Sequence, residues 1–276
     1  MRILVIFFTA VVMFAQAPQE VAWQIIEHGV HEGNPIKRRE AVLALSLVLP
    51  EPRPVALLVE ALDDKDAGVR EAACATLGEI KARTAIPHLQ KALDDAVPEV
   101  TFAAAKALYN MGDPAGSTVL MAVLLGEQSD SSGFVSGSIR AMKLKLHDPK
   151  ALMMIGVQEG AGFAGPFGMG VPLAEGLFKD NQASGKTVAA LLLATDRTPQ
   201  SLNALKEALS EKNWTVRAAA ARAIAKRDAT TLYDNVAMLL DDKRDEVQFS
   251  AAAALVRLKQ TGPSVTKPKT RTVAVK

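Results

Sequence analysis

The sequence is short of the groups that usually carry chemistry. One cysteine, Cys74, stands among 276 residues, so no disulfide can form within the chain. It lies in an alanine-rich stretch and reads as a small packing residue rather than a nucleophile. There are four histidines, His28, His31, His88 and His147. None belongs to an HExxH pattern, and no C-x-x-C occurs. No metal or other cofactor and no catalytic residue is therefore expected. Charge of one sign is also lacking. The formal net charge is +2, but the last 18 residues hold five Lys or Arg and no acid, and without these and Arg2 the body carries 26 bases against 30 acids. A general nucleic-acid binder needs a basic stripe to displace counterions, and this body has none to offer. Nor does the apolar run Ile3 to Ala15 reach the length of about 20 residues that crosses a bilayer.

Arg2, that apolar run and the small-x-small ending Ala15-Gln16-Ala17 match a secretory signal peptide over residues 1–17. Export to the periplasm or the extracellular space is expected, with no transmembrane span in the mature chain. Pro18 fits poorly as the residue after a cleaved bond, so the cut itself is less well marked than the export. No cysteine follows the run to receive a lipid.

What is abundant is a repeat. LDDKDAGVREAACATLGEI from Leu62 returns as LDDAVPEVTFAAAKALYNM from Leu93, LSEKNWTVRAAAARAIAKR from Leu209 and LDDKRDEVQFSAAAALVRL from Leu240. Within each half the spacing is 31 residues, a period of stacked helix pairs. Counted from Val69, one helical face carries Val69, Ala72, Ala73, Thr76, Leu77 and Ile80. Small residues in its middle permit close helix approach, and large ones at its ends fill the core. Asp63 or Asp64, and Asp94 or Asp95, are placed to accept from free amides where the second helix begins. The expectation is an all-α solenoid of antiparallel helix pairs over residues 18–258, followed by a basic, disordered tail over 259–276.

Proline in the first helix (Pro87 in AIPHLQKAL), aspartate in the turn, and Val-Arg with alanines in the second helix resemble HEAT repeats, most closely the short type named for phycobilin-lyase-like proteins. That resemblance implies a ladder in which turn Asp and second-helix Arg link neighbouring repeats. Carried over, its members are Asp63, Arg70, Asp94, Arg217 and Asp241. Ser210 stands where Arg217 would have its Asp, and Thr101 and Gln248 stand where Asp94 and Asp241 would have their Arg, so the ladder is expected to be discontinuous. A di-iron hydroxylase of the deoxyhypusine hydroxylase type would need several facing His-Glu pairs. Only His31-Glu32 matches.

The middle of the chain departs from the period. Asp113-Pro114 recurs as Asp148-Pro149, which suggests a lengthened repeat. Residues 156–176 hold seven of the eighteen glycines. Gly160-x-Gly162-x-x-Gly165 matches a dinucleotide fingerprint only literally, because that motif needs a preceding strand, whereas MMIGVQE here reads in helical-repeat context, and Pro166 follows at once. The segment reads as an ordered apolar loop anchored by Phe163, Phe167 and Met169.

On the second helices, the face opposite the core carries Phe102, Ala105 and Tyr109 in one repeat and Phe249, Ala252 and Val256 in another. A solvated face would be charged at these places. In HEAT proteins, which this chain resembles, second helices line the concave surface, so Phe102, Tyr109, Phe249 and Val256 are the expected anchors for a protein or peptide partner. The functional expectation is an exported, non-catalytic scaffold in the cell envelope. The alternative is a lyase or chaperone for a chromophore or other small apolar ligand held under the glycine-rich loop.

Overall fold

The computed structural model describes residues 17–125 and 181–262. Residues 1–16 of the signal-peptide stretch, the glycine-rich segment with Phe163, Phe167 and Met169, and the tail from 263 on lie outside the described residues. Lys259, Gln260 and Thr261, expected to begin a disordered tail, instead continue the last helix. Twelve α-helices are described: α1 (Pro18–Val30), α2 (Pro35–Ala44), α3 (Pro52–Ala61), α4 (Ala67–Glu79), α5 (Ile86–Ala92), α6 (Pro98–Asn110), α7 (Pro114–Leu125), α8 (Asn181–Leu192), α9 (Pro199–Ala208), α10 (Trp214–Lys226), α11 (Tyr233–Ala237) and α12 (Asp245–Thr261). Short 3-10 turns flank several of them, and no strand occurs among the described residues.

Local sequence explains where the helices begin and end. Prolines open α1, α2, α3, α6 and α9, where the missing amide costs nothing. The side chains of Asn34, Asp66, Thr198 and Asn213 accept from amides of the first turns of α2, α4, α9 and α10. α4, α6 and α10 stop at left-handed residues, Lys81 (φ 55°), Gly112 (φ 78°) and Asp228 (φ 53°). Behind each, an amide reaches back into the helix: Ala82 to Leu77 at 3.0 Å, Asp113 to Leu108 at 2.9 Å and Ala229 to Ile224 at 3.1 Å. Glycine takes that conformation freely at 112, whereas Lys81 and Asp228 hold it against their own Cβ atoms.

The expected core face of α4 is inside except at its end: Val69, Ala72, Ala73, Thr76 and Leu77 are buried, and Ile80 is half-buried. Small residues do bring helices together. A Cβ added to Gly78 of α4 would stand 2.7 Å from the Ala107 Cα of α6. α2, α4 and α6 stack in sequence order with α7 after them, and α8, α10 and α12 do the same in the other half. The two halves then join at the chain's opposite ends, because α12 packs against α1 and α2. The order of packing therefore runs α8, α10, α12, then the α1–α2 pair with α1 the main contact of α12, then α4 and α6.

Candidate functional site

The inter-repeat ladder exists, but through different acids from those expected. Arg70 grips Asp95 with two bonds, Nε to Oδ2 at 2.7 Å and Nη2 to Oδ1 at 2.9 Å. Arg38 holds Asp64 and Arg217 holds Asp242 in the same bidentate way. Each arginine reaches forward to the next repeat, and each takes the second aspartate of the turn. That aspartate already accepts the amide two residues on, from Asp66, Val97 or Arg244, so the turn has fixed its carboxylate before the arginine arrives. Asp63, Asp94 and Asp241 are exposed on the other side of the turn. Asp63 meets only Lys91, with both side chains 76% exposed. The expected pairing of Asp63 with Arg70 is thus corrected to Asp95 with Arg70. Arg217 lacks nothing, because its acid lies in the repeat that follows.

The same side-chain position also bonds back into its own turn. Arg70 donates to the carbonyl oxygen of Asp64 and Arg217 to that of Glu211. Thr101 and Gln248, which replace arginine, keep this backward bond, to the carbonyl oxygens of Asp95 and Asp242. Lys186 supplies a further forward rung to Glu211. Burial opposes charge on Asp64, Asp95 and Asp242, yet the guanidinium partner and the turn amide together hold each carboxyl below its ordinary range.

The expected concave ridge is mostly closed. Ala218, Ala221 and Ala225 of α10 are fully buried, as are Cys74 of α4 and Ala105 of α6. Phe249 and Val256 are 6% and 1% exposed. Their helix, α12, is packed on its inner side by α1 and α2, which the linear repeat pattern did not anticipate. A Cβ on Gly29 of α1 would lie 2.4 Å from Phe249 Cε1 and 2.8 Å from Ala41 Cβ, so the ring fills a notch that only glycine leaves open. Phe249 is therefore structural in this joint and Val256 is buried, so their assignment as partner anchors is corrected. Lys226 of α10 reaches Glu79 of α4 at 3.5 Å, closing the inner side further.

Two of the four expected anchors remain within reach of a partner. Tyr109 is 59% exposed and Phe102, two turns earlier on α6, is half-buried. Met121 is exposed on the adjacent α7. At the opposite end of the stack, α8 turns Val188 and Leu192 outward, one turn apart.

Burial pushes the Cys74 thiol up to about 12, far from a reactive thiolate. Among the described residues no group of three or more His, Cys, Asp or Glu side chains gathers as a metal site. His31 is raised by the Glu27 carbonyl and then by the Glu60 carboxylate, but it sits on the exposed surface. The most perturbed carboxyl is Glu40 of α2, pushed up to about 8 by burial and then by Glu246 and Asp245 at the start of α12, against the opposing charges of Arg244 and Lys37. It lies in the joint. Among the described residues no helix is long and apolar enough to cross a membrane.

None of the curated proteins matches the sequence. Among solved structures, human deoxyhypusine hydroxylase in complex with glycerol is 19% identical over 88% of this chain and 97% of that chain, with a TM-score of 0.34. The complex of CpcE and CpcF of phycocyanin lyase from Nostoc sp. PCC7120 is 17% identical over 92% of this chain and 99% of that chain, with a TM-score of 0.33. The designed armadillo repeat protein YIII(Dq)4CqI is 19% identical over 88% and 100%, with a TM-score of 0.28. At these values neither activity nor partner carries over. A family model of HEAT repeats matches residues 24–108, 58–132 and 171–256, more than half of the chain. Together with the paired helices, the 31-residue period and the Arg–Asp ladder, that match shows that the chain belongs to the HEAT-repeat family.

Proposed function

We propose that the chain is an exported, non-catalytic HEAT-repeat scaffold that binds a protein or peptide partner in the cell envelope. The observation that carries the reading is the apolar surface left on α6 and α7. There Tyr109 stays exposed, as does Met121 on α7, while the positions equivalent to Tyr109 on other second helices, Gly78, Ala225 and Val256, are buried. A tyrosine ring offers a large contact area with a polar tip at little entropic cost, and such groups anchor partners. Support for export comes from Arg2, the apolar run and Ala15-Gln16-Ala17.

The test uses the double variant Phe102→Ala/Tyr109→Ala as bait in an envelope fraction, beside the wild type. Partner recovery should fall at least about tenfold, equivalent to about 1.4 kcal/mol of binding, while the melting curve changes little. Equal recovery would remove this surface from the account. A large loss of stability would make the rings structural. Export is tested separately by fractionation of the full-length chain, and retention in the cytosol would defeat it.

A further inference from the structure

The joint between α12 and the α1–α2 pair is built by opposite ends of the described chain, and the backbone connects the two halves only through residues 126–180. Each half has rungs of its own: Arg38–Asp64 and Arg70–Asp95 in one, Lys186–Glu211 and Arg217–Asp242 in the other. The joint uses other contacts. Lys37 pairs with Asp245 at 2.8 Å where α12 begins. Phe249 occupies the Gly29 notch one turn later. Near the end of α12, Arg257 Nη1 donates to the Leu47 carbonyl oxygen at 3.1 Å, and the Leu49 amide donates to Gln260 Oε1 at 3.0 Å.

These contacts fix position at both ends of a helix face roughly 22 Å long. A slip of one turn would take the ring out of its notch and break the polar contacts at either end. Apolar centre, polar rim and a single aromatic knob are the features of an interface between separate molecules. We propose that the joint is a self-sufficient docking surface: the C-terminal half binds the N-terminal half as a separate chain would. The body then stays whole when the backbone between the halves is cut. The occupant of the Gly29 notch is α12 of the same chain, and the inference does not depend on the partner reading above.

The experiment inserts a specific-protease sequence between Ser132 and Gly133 of the full chain, cuts it, and follows the two pieces by size-exclusion chromatography with light scattering at roughly 1 μM, a concentration that a joint of ordinary affinity withstands. The pieces should co-elute at the mass of one intact chain. After the same cut, the Gly29→Leu variant, whose side chain collides with Phe249, should separate into halves. If Gly29→Leu does not fold uncut, Phe249→Ala decides, because it empties the notch without a collision. Its cut halves should separate at a concentration at least about tenfold higher than those of the wild type. Separation of the cut wild type, elution at twice the mass of the chain, or no difference between wild type and Phe249→Ala would each overturn the proposal.

Discussion

Replacing Glu40 with Gln should stabilise the protein above neutral pH and leave it unchanged in acid. Glu40 lies in the joint, where burial first, and then Glu246 and Asp245, push its carboxyl from an ordinary 4.5 up to about 8. Below 4.5 the group is protonated whether the chain is folded or not, and its charge contributes nothing. As pH rises from 4.5 towards 8, the unfolded chain ionises while the folded one holds the proton, so stability falls, and above 8 the loss is complete. At 1.36 kcal/mol per pH unit the ceiling is about 5 kcal/mol. Glu40 keeps partial contact with water, and screening brings the expected loss to about 2–3 kcal/mol. Gln has nearly the same shape and cannot ionise. For a body of this size its advantage at pH 9 should appear as a rise in Tm of roughly 5–10 °C, shrinking to nothing near pH 4.5. Thermal unfolding followed by helical circular dichroism across pH 4.5–9 measures it. Asp64, Asp95 and Asp242 titrate alike in both proteins, so the difference isolates Glu40. A difference that stays constant with pH would refute the reasoning.

Other expectations follow from the ladder and the turns. Arg70→Ala leaves the Asp95 carboxylate without its guanidinium at a site where both side chains are under a fifth exposed. It should cost about 2–4 kcal/mol, whereas Lys91→Ala, which frees the exposed Asp63, should cost under about 0.5 kcal/mol; urea unfolding compares the two. Arg70→Ala should also make the loss of stability in acid shallower, because Asp95 would no longer be held below its ordinary range. Lys81→Gly relieves the left-handed turn after α4 and should raise stability by up to about 1 kcal/mol. A lower Tm would show that the Lys81 side chain has a role beyond that turn.

The repeat period was legible because each second helix needs the same buried face. Val69, Val100, Val216 and Val247 are all inside as the spacing requires. The ladder was half legible. Arginine at 70 and 217 announced it, but adjacent aspartates cannot be told apart by composition. Asp64, Asp95 and Asp242 are selected by backbone geometry, since only the second acid folds over its own turn amide. The direction of the rung, forward into the next repeat, likewise needs the stack. The inner ridge was legible as apolar but not as buried. Apolar residues opposite a core face mean either a binding groove or a second packing partner, and the second holds for Phe249 and Val256. For Phe249 that partner, α1, lies more than 200 residues earlier in the chain, outside any periodic signal. The one local hint was Gly29, a glycine in the last turn of a helix, whose reason is visible only beside Phe249.

The central claim, that the C-terminal helix packs on the N-terminal pair within one chain, is tested most directly by zero-length carbodiimide crosslinking of the monomer. Lys37 Nζ and Asp245 Oδ2 are 2.8 Å apart, and Lys91 and Asp63, 3.1 Å apart, provide a control within the first half. Both links should be recovered by peptide mass spectrometry from protein that elutes as a monomer, and Phe249→Ala should weaken the Lys37–Asp245 link while sparing the control. Recovery of the Lys91–Asp63 link without the Lys37–Asp245 link would contradict the joint.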